Sequence, residues 1–244
     1  MPIPKTRGEL VDLRIDGSEM SCYLARPDSD GSLGILVCMH GPGVDVFIQD
    51  ICKRLANEGY LAIAPNLYHR QAPQPIEPWT KMVDAESIQD MGAALDFLKK
   101  SGAATLGILG FCMGGRLALL ELAHDDQLRT GVIFHGGNIM VARDKSLSSP
   151  FDQAHRISAS VLGIFGEEDS NPSPADKAKI EQRLKDLGVE HHFESYAAAG
   201  HAFLNFTRPD MYREEQAGLA WEMCVTWLDS QMRSGVSQFF VDLT

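Results

Sequence analysis

Five short runs, apolar at nearly every position, do most to limit what this chain can become. They are Gly34–Met39, Leu61–Ala64, Thr105–Gly110, Gly131–Phe134 and Val161–Phe165, with a more polar sixth run at His192–Tyr196. A strand with one wet face alternates apolar and polar residues, so uninterrupted apolar runs point to strands covered on both faces, as in a parallel sheet between helices. The intervening stretches have helical spacing. Ile88, Met91, Leu95 and Leu98 share one face, as do Ile180, Leu184 and Leu187, and Gly188 is placed to stop that second helix. A last long helix carries Ala217, Ala220, Trp221, Cys224 and Leu228 together. The beginning differs, because Leu10–Ile15 and Met20–Ala25 flank Asp16-Gly17, a strong hairpin-turn dipeptide. The expected architecture is therefore α/β: a mostly parallel, doubly wound sheet opened by an antiparallel hairpin. No repeat, low-complexity tract or linker divides residues 1–244, and a single domain is expected.

Charge and cysteine usage narrow the function classes. Asp plus Glu number 33 against 22 Lys plus Arg, a formal charge of −11. Such a surface repels nucleic-acid phosphates and anionic lipids, so neither nucleic acid nor a membrane is expected as a partner. The stretch Met1-Pro2-Ile3-Pro4-Lys5 lacks the apolar core of a signal peptide, and no run reaches the roughly 20 apolar residues that span a bilayer. Cytoplasmic residence is the default expectation. The five cysteines, at 22, 38, 52, 112 and 224, form no CxxC pair and no metal-ligand spacing. An odd count fits a reducing compartment, with most thiols acting as buried apolar fillers. Nothing in the chain specifies an oligomeric state.

Cys112 is the exception. The run Thr105–Gly110 leads into Phe111-Cys112-Met113-Gly114-Gly115, followed by a helix-forming stretch from Arg116 to Ala123. This is the strand-turn-helix context of the G-x-S-x-G nucleophile elbow, with cysteine in place of serine. Gly110 and Gly114, two residues to either side, let strand and helix pack closely. A thiol at a helix N-terminus meets free N–H groups and the positive end of the dipole, which favour thiolate below the reference pKa of about 8.5. A buried cysteine beside packing glycines is the plainer reading of those five residues, and the context weighs against it.

An elbow of this kind takes its acid and then its histidine from loops after later strands. Asp169 follows Val161–Phe165 in Gly166-Glu167-Glu168-Asp169, and His201 follows the last strand-like run in Ala199-Gly200-His201-Ala202-Phe203. In these roles His201 takes the thiol proton and Asp169 fixes its tautomer. Glu167 and Glu168 compete for the acid role, with a solvated loop as their default. Among the other histidines, His69, His124, His135 and His155 read as structural by default. The oxyanion donors expected are the N–H of Met113 and, in His40-Gly41-Pro42-Gly43, that of Gly41, since Pro42 has none. The latter sequence is equally compatible with a simple turn.

Together these residues resemble the dienelactone hydrolase family (carboxymethylenebutenolidases) of α/β-hydrolases. The matching pieces are Gly110–Gly115, the Asp169 loop, Gly200-His201-Ala202-Phe203, and Ala64–Pro73, which is similar to the family's PDLYxRQAP segment except for Asn66. The resemblance runs over about residues 30–230. It implies a Cys112–Asp169–His201 triad that hydrolyses a small ester or lactone through a thioester acyl-enzyme, with no metal or organic cofactor. His40, Arg70, Phe111 and Asn205 become candidates for the substrate pocket. Three further positions depart from the pattern. His40 stands where the family has a glutamate that helps activate the cysteine, and it cannot copy that acid. The two arginines that grip a substrate carboxylate are also not found: the segment after Pro73 offers only Lys81, and Asn205 follows the histidine. No strong preference for carboxylate-bearing lactones is therefore expected. The stretches Asn138–Gln153, containing the Ser/Pro-rich Ser146–Asp152, and Gln74–Met82 are expected to shape the pocket. Two other classes compete with hydrolysis: a non-catalytic ligand-binding protein on the same fold, and a thiol redox role in which Cys38, on the neighbouring strand, approaches Cys112.

Overall fold

The hairpin forms as its turn dictates. β1 (Gly8–Ile15) pairs antiparallel with β2 (Ser18–Ala25), and Asp16 and Gly17 both take positive φ, 50° and 80°. That conformation matches the right-handed twist of the strands it joins. In this computed structural model the described residues are 8–28, 32–71, 73–143, 145 and 147–233. Met1–Lys5, the middle of the loop Pro27–Ser32, Ala72 of the segment Ala64–Pro73, and Asp144 and Ser146 of the stretch Asn138–Gln153 lie outside them.

The apolar runs become the interior of one eight-stranded sheet. β3 (Leu33–Cys38), β4 (Leu61–Pro65), β5 (Thr105–Phe111), β6 (Leu128–Phe134), β7 (Ser160–Gly166) and β8 (His191–Tyr196) complete it, in the order β1-β2-β4-β3-β5-β6-β7-β8. β2 joins β4 antiparallel, and every pairing from β4 to β8 is parallel. β3, β4 and β7 are buried along their whole length, whereas the marginal strands β1 and β8 keep polar, half-exposed positions. The sixth run was the least apolar because it forms an edge, where charged side chains discourage pairing with another chain. β6 starts three residues before its apolar run. Thr130 is accommodated there because its hydroxyl donates to the Ser160 carbonyl and accepts from Trp227 Nε1, at 3.1 and 2.8 Å.

Helices cover both faces. α1 (Val46–Asn57) packs on β4 and β2, while α2 (Asp84–Lys100) and α3 (Met113–Leu122) pack against each other over β3 to β6. After the single-turn α4 (Pro150–Gln153) comes α5 (Pro174–Asp186), which Gly188 ends at φ 70°. The last helix, α6 (Glu214–Arg233), buries Ala217, Ala220, Cys224 and Leu228 against β5 to β7. This is the expected α/β-hydrolase arrangement. No described helix is long and apolar enough to cross a membrane. Because the strands from β4 to β8 run parallel, their carboxyl ends collect the loops after β3, β5, β6, β7 and β8 along one edge, where ligands bind in such sheets.

Candidate active site

Cys112 is held in a conformation that few L-residues adopt, with φ 57° and ψ −117°, at the junction of β5 and α3. Its N–H donates to the Phe134 carbonyl at 3.0 Å, and its own carbonyl accepts from Gly115 N–H at 3.0 Å. Backbone strain of this kind costs about 1–3 kcal/mol and persists only where the surroundings over-determine it. Here the surroundings are glycines. A Cβ on Gly110 would lie 2.0 Å from the Gly114 carbonyl oxygen, and one on Gly114 would lie 2.3 Å from that of Cys38. Strand and helix therefore approach backbone to backbone, and α3 begins at Met113 itself rather than at Arg116 as the glycines had suggested. Met113 N–H is consequently an open first-turn donor.

The loops after β7 and β8 meet beside this turn. His201 Nδ1 lies 2.8 Å from Asp169 Oδ2, and Asp169 is 4% exposed, with Oδ1 accepting from Asn171 N–H at 2.8 Å. Burial alone would disfavour a charged His201. The bond to Asp169 and the proximity of Cys112 more than offset it and raise the imidazole to about 10. The ring thus favours the imidazolium, the partner that a thiolate requires.

A cavity of about 450 Å³ opens over Cys112, and its wall includes His40, Gly41, Phe111, Met113, His201 and Asn205. Gly41 is fixed by Tyr68, whose hydroxyl donates to the Gly41 carbonyl at 2.7 Å. Arg70 does not belong to this wall. Its guanidinium pairs with buried Asp90 at 2.6 Å, and the same carboxylate takes His69 Nε2 at 2.8 Å. The Arg70 candidate is corrected on that ground: its neighbours in sequence suggested a pocket, but a buried carboxylate on α2 draws it away.

Several wall residues were not anticipated. Asp45, the N-cap of α1, accepts from Phe47 and Ile48 N–H at 3.1 and 3.2 Å and lies 3.0 Å from His40 Nε2. Burial works against its charge, yet His40 and the two N–H groups lower its pKa overall. The cavity therefore holds an acid beside His40, which no motif had indicated. His135, after β6, is 2% exposed, has φ 39°, and packs edge-to-face on His201 with ring centroids 4.7 Å apart. Burial, then the neighbouring His201 and His40, push it well below the ordinary histidine value, so it stays neutral.

The two carboxylate-gripping arginines were missing from the family's positions in sequence, but two other arginines, Arg143 and Arg208, line the cavity. Arg143 comes from the stretch after β6, and its Nη1 donates to the Trp79 carbonyl at 3.2 Å. Arg208 lies seven residues past His201 on the rim, with Nε 3.5 Å from Asp210. Arg143 is delivered by another loop, which spacing from the histidine motif cannot find, whereas Arg208 lies in the loop of His201 itself, three residues past Asn205. Cys38 is fully buried with its thiol 3.5 Å from Met91 Sδ, and burial holds it protonated, which does not favour a redox partnership with Cys112. Among the described residues no group of three or more His, Cys, Asp or Glu is arranged to hold a metal.

Comparison with known proteins bears on the family and the fold. The sequence model of the dienelactone hydrolase family matches residues 20–232. A Salmonella typhimurium protein assigned as a carboxymethylenebutenolidase is 35% identical, over 89% of this chain and 85% of its own. A Bradyrhizobium protein assigned as a 2-oxo-3-(5-oxofuran-2-ylidene)propanoate lactonase is 29% identical, over 89% and 92%. The crystal structure of a Klebsiella pneumoniae protein assigned as a dienelactone hydrolase superposes with a TM-score of 0.83 at 34% identity, covering 91% of this chain and 98% of that one.

Proposed function

This chain belongs to the dienelactone hydrolase family, hydrolases of ester and lactone bonds, and from that premise we propose that it acts through Cys112 as a thiolate nucleophile. The observation that carries the reading is the imidazole of His201, bonded to buried Asp169 and beside the strained Cys112 under an open cavity. His201 holds the thiol proton, and Sγ attacks the carbonyl carbon. The oxyanion that forms is stabilised by the N–H groups of Met113 and Gly41. Collapse breaks the carbon–oxygen bond, and the leaving alkoxide takes the proton from His201, leaving a thioester on Cys112. Water then gives a proton to His201 and attacks the thioester, releasing the acid and regenerating the thiol pair. For a lactone the alcohol and the acid leave as one molecule.

The substrate we propose is small and bears a carboxylate. Arg143 and Arg208 support this, since two guanidinium groups at one cavity would bind a carboxylate in the otherwise acidic surface. The Bradyrhizobium relative is likewise named for a lactone bearing a propanoate group.

The test is turnover of p-nitrophenyl acetate and of a carboxylate-bearing lactone by the wild type and Cys112→Ala. The alanine variant should fold normally and lose turnover, and the wild type should show an acyl adduct on Cys112 by mass spectrometry. Full activity in Cys112→Ala would overturn the mechanism. A non-catalytic binding role would show as ligand affinity without turnover in the wild type.

A further inference from the structure

We infer that Arg116 is a positioning residue: its buried guanidinium fixes the loop that presents Arg143 to the cavity, and so sets the preference for anionic esters. Arg116 sits one helical turn after Cys112 on α3 and is fully buried. Nη1 and Nη2 donate to the two carboxylate oxygens of Asp84, at the start of α2, at 2.6 and 2.8 Å. The other side of the same planar group holds the loop after β6: Nη2 donates to the Val141 carbonyl at 2.9 Å and Nε to the Asn138 carbonyl at 3.2 Å. Arg143 follows two residues later.

The loop is held upstream of this point by Ile139, which is buried in the core and whose carbonyl accepts from Phe151 N–H at 3.1 Å, so the strut acts on the part nearest Arg143. Val141 is 52% exposed, so the loop is not anchored there by an apolar side chain, and the strut binds its backbone directly. Asn138 adds two ties, its N–H donating to Asn171 Oδ1 at 3.0 Å and its Oδ1 accepting from Asn171 Nδ2 at 3.4 Å. A fully buried ion pair is a weak source of stability, because apolar residues of similar volume often do as well. What the pair offers here is geometry. A guanidinium fork can satisfy a carboxylate and two carbonyls at once, which a lysine ammonium cannot. The electrostatic closeness of Arg116, Asp84 and Cys112 to Arg143 agrees with one connected cluster beneath the cavity wall.

The inference rests on the reading that Arg143 receives the anionic group, so the experiment separates the two. Wild type, Arg116→Lys, Arg143→Ala and the double variant are assayed on the mono-p-nitrophenyl ester of succinate and on p-nitrophenyl butyrate. The readout is the ratio of kcat/KM for the anionic over the neutral ester. Arg116→Lys should lower this ratio about tenfold, mostly through KM on the anionic ester. Arg143→Ala should lower it at least as much, and the double variant no further, since both changes remove one interaction. If Arg143→Ala leaves the ratio unchanged, the anion reading fails and takes this inference with it. If Arg143→Ala lowers the ratio while Arg116→Lys does not, or the two effects add, the strut alone is refuted. Should Arg116→Lys not fold, the charge-free double variant Arg116→Met with Asp84→Asn replaces it, with the same expected loss.

Discussion

Glu121 should make this protein less stable as the pH rises through neutrality. It lies near the end of α3, 2% exposed, and its Oε2 finds no hydrogen-bond partner among the described residues. Burial, followed by the like charge of Asp125 one turn on, raises its carboxyl from 4.5 to about 8. A group that is more basic in the folded state stabilises it fully below the unfolded value, and that contribution is lost as pH climbs to the folded value. The window is therefore about 4.5 to 8. At about 1.36 kcal/mol per pH unit, the whole loss is about 5 kcal/mol, comparable with the total stability of many domains. Glu121→Gln keeps the shape of the side chain but cannot ionise. Urea denaturation of wild type and variant at pH 5 and pH 9 isolates the effect as a difference of differences, cancelling the pH-independent cost of the amide. His201 is raised as well and loses its contribution between 6.5 and about 10, but it does so in both proteins and drops out. The variant should gain most of those 5 kcal/mol over wild type at pH 9 relative to pH 5, or about 10–20 °C in Tm. Parallel pH profiles for the two proteins would refute the argument that Glu121 is buried as the neutral acid.

His135 predicts the opposite slope at the acid end. Its folded value is depressed, so the stability it allows is present above 6.5 and is lost as pH falls further. As pH falls below 6.5, wild type should lose stability and His135→Phe should not, read from denaturation midpoints at each pH. An equal slope in both proteins would mean that the ring is already charged or solvated. At the elbow, Gly114→Ala places a Cβ 2.3 and 2.6 Å from the carbonyl oxygens of Cys38 and Met39. Because both contacts are backbone, the helix must move. A stability loss of about 3 kcal/mol and an activity loss of about 100-fold or more are expected from thermal melting and ester turnover. Wild-type turnover in that variant would show that the close approach is not required.

How far the fold and site could be read in advance follows from where each signal resides. The apolar runs marked the interior of the sheet, because a strand covered on both faces has no wet side to alternate with. They misjudged the start of β6, where Thr130 is buried only because Ser160 and Trp227 supply partners from remote segments. The glycines around Cys112 suggested a turn, while the helix in fact begins at once: its second residue, Gly114, is small so that the β3 carboxyl end can touch it.

The sequence by itself determined the order of strands and helices, the hairpin at Asp16-Gly17, and the candidates Cys112, Asp169 and His201, because each depends on local pattern or on a motif with a required chain order. Tertiary structure decided the rest of the cavity. Arg70 was drawn to Asp90, and Asp45 came beside His40 as the cap of α1. Arg143 reached the wall on a loop whose carbonyls are held by Arg116. For the two arginines the physical reason is the same. A long charged side chain goes where a distant partner compensates its burial, and that partner is chosen by the packing of other elements rather than by neighbours in the chain.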